Sequence, residues 1–299
     1  MLPLLLALSA PAALPAHPER LVIEPVPAPA PGRTGILGFR IRAPWMRGRI
    51  ELRMPETLAS SMGLHFIDHV RSDMPPLSVP NPWPVWQQDR RNGSLRYSHR
   101  TPEGVEFSAL ARPATDEVVL EFRVRNRTGK AISSANCQMC LVLTESPDFG
   151  ERNTLEPIRA WVDGAFLNLA QTTPTPASKG RDPWILMRVR GPGEAYRGPM
   201  DYADGWWVVD QLADRPVIAR VSEDGTRLVA IEWGARQPML MSNTRIPCLH
   251  AGPGDPASIE PGAEHVWRGR ILLLPNDPEE LRRRLEQGWS AAPRQGRRR

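Results

Sequence analysis

The chain has 299 residues, 41% of them apolar, enough for one large core or two smaller ones. Its 33 Pro and 23 Gly argue against long helices and for many short strands joined by turns. The net charge of +5 is weak evidence for a nucleic-acid partner. Arg294, Arg297, Arg298 and Arg299 supply four of the five excess charges, and the body before them is close to neutral.

Residues 1–16, MLPLLLALSAPAALPA, form an apolar run followed by small residues, the pattern of a secretory signal cleaved near Ala13 or Ala16. The run is too short and too Pro-broken to span a bilayer, so an exported protein, periplasmic or extracellular, is expected. Residues 17–34 are a Pro/Ala-rich leader, either a linker or an edge strand. Residues 35–290 are expected to form a single β-sandwich domain, and residues 291–299 a basic disordered tail.

GILGFRIRAPW and GRIELRMP alternate apolar and polar residues. As strands they turn Phe39 with Ile41, and Ile50 with Leu52, inward. PETLASSMGL, with Pro55 at its start and Gly63 at its end, is expected to make a helical turn. LHFIDHV places His65 and His69 four apart, sharing a face in helix or strand, with Asp68 joining them in a helix. Two imidazoles and a carboxylate can bind zinc or exchange protons, and they can equally be a satisfied surface pair. The Pro-rich run 74–88 carries Trp83 and Trp86, either a stacking platform for sugar or plugs at a core edge.

From Ser94 to Glu145, four strand-like runs joined by short turns predict an antiparallel meander, with Val118, Leu120, Phe122 and Val124 on one face. Asn126-Arg-Thr-Gly129 has turn chemistry. Cys137-Gln-Met-Cys140 lies in such a strand. Residues three apart there face opposite sides, roughly 10 Å apart, so buried packing thiols are expected rather than a disulfide or metal pair. Cys248 makes the count odd, leaving at least one thiol free. SPDFGERN and QTTPTPASKGRDP are expected loops around strand-like FLNL and WILMRVR. Trp206 and Trp207 sit between Asp204 and Asp210. PVIARVSEDGTRLVAIEWG is a hairpin. DPEELRRRLEQGW is the best helix, capped by Asp277 with Pro278 at its first position.

Between these, residues 243–270 place a polar turn, Cys248, His250 and a Pro/Gly-rich loop directly before the last strand. Loops held by strand ends are where binding groups usually sit. EVVLEFRVRNRTGKAISSANC and PCLHAGPGDPASIEPGAEHVWRGRI, under a fifth of the chain together, resemble the aldose (galactose) mutarotases and their carbohydrate-active relatives. The resemblance implies an all-β fold, a large antiparallel supersandwich with a short C-terminal helix. It also implies that Asn136, Cys137 and Gln138 stand where the family has its catalytic His, and His250 where it has its Glu base. Anomer interconversion needs a base and an acid. His250 can be a base near neutral pH, and His65 or His69 the acid.

The function expected is saccharide binding or modification, with a carbohydrate or cell-envelope glycan as partner. His250, His65 and His69 are its catalytic candidates. Asn243, Arg245, Asp68, Trp206 and Trp207 are its binding candidates, on an open concave sheet face. No cofactor is expected. The alternatives are a non-catalytic envelope module and a metal protein in which His65, His69, His250 and Cys248 hold zinc or another divalent ion. No Gly-x-Ser-x-Gly elbow, phosphate loop or dinucleotide fingerprint is present.

Overall fold

Period-two alternation becomes strand wherever one face can be buried, and the computed structural model of this protein is built almost entirely that way. It describes residues 20–30, 35–67, 83–150, 154–174, 184–194, 206–234, 237–243, 245–254 and 258–287. The signal-like run 1–16 and the tail 291–299 lie outside these residues.

In chain order the first strands are β1 (Val22–Pro25), β2 (Gly38–Arg42), β3 (Ile50–Ser60), β4 (Gly63–Ile67), β5 (Gln87–Gln88), β6 (Leu95–Arg100), β7 (Val105–Pro113), β8 (Glu117–Asn126) and β9 (Asn136–Val142). A single helical turn α1 (Pro147–Gly150) precedes β10 (Ile158–Val162), β11 (Ala165–Asn168), β12 (Trp184–Arg188) and β13 (Trp206–Val208). Then come β14 (Val217–Val221), β15 (Arg227–Glu232), β16 (Met239–Asn243), β17 (Cys248–Ala251), β18 (Glu264–Pro275) and helix α2 (Pro278–Glu286).

They form two sheets. The first runs β1-β2-β3-β9-β17-β16-β12-β13, with β4 also paired to β3. The second runs β11-β10-β14-β15-β18-β8-β7-β6-β5. Every pair is antiparallel except β12–β13 at one edge. Phe39, Ile41, Ile50 and Leu52 face inward as the alternation requires, and they share one core with Phe107, Leu120, Phe122 and Ile271. The architecture is therefore the all-β antiparallel sandwich expected, closed by a short C-terminal helix.

Local chemistry explains several elements. The 217–232 hairpin forms as expected. Its turn is fastened by Asp224, which accepts from the Ser222 hydroxyl at 2.6 Å and from Thr226. In α2 the Asp277 side chain accepts from the backbone N–H of Glu279 and Glu280, and Leu281 and Leu285 pack the helix onto the outer face of the second sheet. Asp277→Ala should lower stability by about 1 kcal/mol, read by urea denaturation.

Four expectations need correction or resolution. PETLASSMGL is not helical: β3 continues through Pro55. Opposite Met139 alone it carries Met54, Pro55 and Glu56, two residues more than a regular ladder, a place where strand Pro is tolerated. The meander is three strands, not four. β6, β7 and β8 run side by side in the second sheet, but β9 crosses to the first. Asn126 secures that crossing: it is fully buried, donates to the carbonyls of Lys130 and Ile259 at 2.7 Å each, and accepts from Thr128. SPDFGERN is not all loop, since residues 147–150 make a helical turn that buries Phe149. Within the leader, residues 22–25 are the edge strand β1, pairing with β2 and burying Ile23.

Candidate functional site

β9 and β17 lie side by side in the first sheet, with His250 opposite Cys140 and Cys248 opposite Val142. Alternation turns Cys248 and His250 to the same face, where Cys140 meets them. The two sulfurs and the nearest imidazole nitrogen all lie within 4.8 Å of one another, and all three residues are buried. Cys248 Sγ is 3.8 Å from His250 Nδ1 and 3.9 Å from Nε2. The irregular stretch of β3 brings Glu56 to the same place: its Oε2 lies 3.4 Å from His250 Nε2. Gln138 donates to that oxygen at 2.6 Å, and the Arg53 guanidinium stands 3.8 Å from Oε1.

Burial alone would pull the His250 pKa down. The sulfur of Cys248 and the carboxylate of Glu56 outweigh it and push the pKa up to about 10. Cys248 is held well below the usual thiol range, first by the S–H that Cys140 donates and then by His250. Burial, and then Cys248, push Cys140 well up. Cys140, Cys248 and His250 thus form one buried, proton-sharing group, with Glu56 beyond. Its donor set could hold a metal ion. The adjoining cavity, lined by Gln138, Met241, His250 and Gly252 among others, is about 10 Å³, room for one water and not for a sugar.

Several expected site residues fall elsewhere. His250 does not line an open concave face, since its ring is 2% exposed and it is held as a proton donor rather than a base. Asn243 is also buried, and its Oδ1 accepts from the backbone N–H of Arg245 and Ile246, so it shapes the turn into β17. Arg245 is exposed in that turn. His65 sits on β4 opposite Leu58, and β3 and β9 separate its strand from β17, roughly three strand spacings or about 14 Å of sheet. Asp68 and His69 lie outside the described residues. Trp206 and Trp207 are on the edge strand β13, and Trp207 packs half-buried against the core. Trp86 plugs the core, edge-on to Phe39 and Tyr97 at 5.0 and 4.7 Å. Cys137 and Cys140 face opposite sides as alternation requires: Cys137 joins the main core and Cys140 a separate cluster with Cys248.

A second feature lies on the outer face of the second sheet. Over β5–β8 this face is an open groove of about 860 Å³, lined by Trp83, Gln87, Arg96, Ser98, Arg100, Ser108, Glu121 and Arg123 among others. Arg96, Ser98, Arg100, Ser108, Glu121 and Arg123 are outward residues of their strands, whose inward neighbours Leu95, Phe107, Leu120 and Phe122 build the core, whereas Trp83 precedes β5 and packs half-buried against that core. Arg123 is paired with Glu121 and Glu264. Among the described residues, Arg96 and Arg100 have no carboxylate within 4.0 Å. The alternation gave the core face of these strands but not that their outer faces join into one hollow.

No family model matches the sequence, and no curated protein matches it. Among solved structures it is similar to the Slr1438 protein of Synechocystis sp. PCC 6803, at 12% identity and a TM-score of 0.41, over 83% of this chain and 99% of that one. It is similar to a galactose mutarotase related enzyme of Lactobacillus acidophilus at 10% identity and a TM-score of 0.36, over 63% of this chain and 70% of that one. A putative aldose 1-epimerase of Escherichia coli K12 matches at 10% identity and a TM-score of 0.37, over 63% and 68% of the two chains. At these values the likenesses say nothing of chemistry, and the sandwich rests on its own strand order.

Proposed function

We propose that this chain is an exported protein that binds an acidic saccharide along the groove over β5–β8. What carries this reading is the meeting, in one open hollow of ligand size, of Trp83, half-buried against the core, with two guanidinium groups, Arg96 and Arg100, that have no carboxylate within 4.0 Å among the described residues. A pyranose offers an apolar C–H face to an aromatic ring, and a uronate or phosphate group offers two oxygens to a guanidinium fork. A neutral glycan would not need the cations. The mutarotase-like stretches 117–137 and 247–271 support saccharide as the ligand class, and the apolar run 1–16 supports export. No reaction is assigned to His250, which is enclosed.

Binding to oligogalacturonate and to an uncharged glucan of equal length tests this reading. The expected result is binding of the acidic oligomer that weakens with salt and falls at least tenfold in Arg96→Glu/Arg100→Glu, with little glucan binding. Equal affinity for both oligomers, or acidic binding untouched by the double substitution, would sink it. The substituted side chains lie outside the core, so the variant is expected to fold.

A further inference from the structure

The geometry points to a single thiophilic cation, zinc(II) or copper(I), held between the sheet strands by Cys140, Cys248 and His250, with Glu56 orienting the imidazole. This goes beyond the saccharide groove, which lies on the other sheet, and fails or stands independently of it.

Three observations carry the assignment. Two sulfurs and an imidazole nitrogen converge within 4.8 Å from two neighbouring strands. In a tetrahedral site with metal–sulfur bonds of roughly 2.3 Å and metal–nitrogen bonds of roughly 2.1 Å, ligand atoms stand about 3.6–3.8 Å apart. The Cys248 Sγ to His250 Nδ1 separation of 3.8 Å already meets that spacing, and the remainder closes by side-chain rotation. Next, His250 has the outer partner that ligating histidines have: Cys248 Sγ stands almost equally far from its two ring nitrogens, and with Nε2–H engaged by the Glu56 carboxylate at 3.4 Å it is Nδ1 that is left to ligate. That carboxylate is itself fixed by the Gln138 amide at 2.6 Å and approached by Arg53.

The third observation is that the sulfurs stay free and the space beside them admits nothing larger than an ion or a water. The sulfurs are not a disulfide, and they are offset by two residues across the β9–β17 ladder, so that each faces the other's neighbour. The cavity beside His250 takes one water and no organic ligand. Two thiolates with an imidazole form a soft donor set that favours zinc or copper(I) over calcium, magnesium or manganese.

The test uses the full chain, refolded from urea under anaerobic conditions with one equivalent of zinc(II), copper(I) or cobalt(II), then desalted. The expected result is about one ion retained per chain, a raised melting temperature, and for cobalt(II) the intense near-ultraviolet absorption of thiolate ligation. Competition between zinc and copper(I) chelators identifies the resident ion. Cys140→Ser/Cys248→Ser should bind at least 100-fold more weakly. Glu56→Gln keeps all three ligands and should bind about 10- to 100-fold more weakly. Circular dichroism of each metal-free variant establishes that it folds; should the double-Cys variant not fold, the Glu56→Gln comparison decides. Failure of folded, fully reduced wild type to retain any of the three ions would overturn the assignment. So would equal retention by the variants, or a Cys140–Cys248 disulfide in peptide maps of the native protein.

Discussion

Arg270→Met is expected to lower the unfolding free energy by about 3–5 kcal/mol at neutral pH. Arg270 on β18 lies opposite Glu232 on β15, and its Nε donates to Glu232 Oε2 at 2.7 Å; the two residues are 3% and 9% exposed. The pair sits where the polar outer face of the second sheet gives way to the apolar patch under α2, beside Ala230 and Leu272. Removing the guanidinium leaves a largely buried carboxylate that has lost its hydrogen-bonded counter-ion, with only the weaker influence of Arg215 remaining. Burial already holds Glu232 above the usual carboxylate range, and Arg270 is the main opposing influence.

In the variant the Glu232 pKa rises further, so the folded state binds a proton that the unfolded chain releases. Its stability should therefore be greatest below about pH 4.5, the unfolded value, and fall as pH rises through the folded one. Urea denaturation at pH 5 and pH 8 should show the larger loss at pH 8. Arg270→Met/Glu232→Leu should recover most of the deficit, because the apolar patch can extend over both positions. A loss under about 1 kcal/mol that is equal at the two pH values would mean that the pair is solvated and carries little.

Gly252→Ala should cost about 3 kcal/mol, the upper end of the usual overpacking range. A Cβ at residue 252 would lie 1.6 Å from the carbonyl oxygen of Cys137 and 2.7 Å from its carbonyl carbon, both backbone atoms of β9. No side-chain rotation relieves that contact, so the end of β17 must move away from β9. The same movement loosens the Cys140–Cys248–His250 cluster, and metal retention should fall along with melting temperature. Gly129→Ala is the control: nothing lies within 4 Å of a Cβ there, and the change should be neutral or slightly stabilising. Equal melting temperatures for the two variants would show that the close approach of β17 to β9 is wrong.

Period-two alternation made the sandwich legible, because one buried face per strand is all that such a sheet demands. Val118, Leu120, Phe122 and Val124 are each at most 1% exposed, and the 217–232 hairpin and Asp277-capped helix form where their turn and cap residues say. Sheet membership was not legible. β8 and β9 both read as strands, and what secures the crossing of β9 is Asn126, whose partner at Ile259 lies 133 positions away, beyond any local window. Pro55 read as a helix start because Pro at a first helical position and Pro at a strand irregularity look alike in one sequence.

The cluster escaped for a related reason. In the sequence Cys140 has Cys137 as its near neighbour, three residues away on its own strand, whereas its partners Cys248 and His250 come from 108 and 110 positions further along. Glu56 gave one faint signal, a carboxylate directly after a Pro amid strand-forming residues. His250 was singled out for its place before the last strand, but the burial that removes it from an open face depends on packing that no local pattern records.

Backbone hydrogen exchange of the full chain with and without oligogalacturonate addresses the saccharide site most directly. Protection confined to residues 87–126, strongest on β6 and β7 and absent from Arg96→Glu/Arg100→Glu, is the result expected of an acidic glycan lying across β5–β8. Protection centred instead on β9, β16 and β17 around His250, with β6 and β7 unchanged, would contradict it.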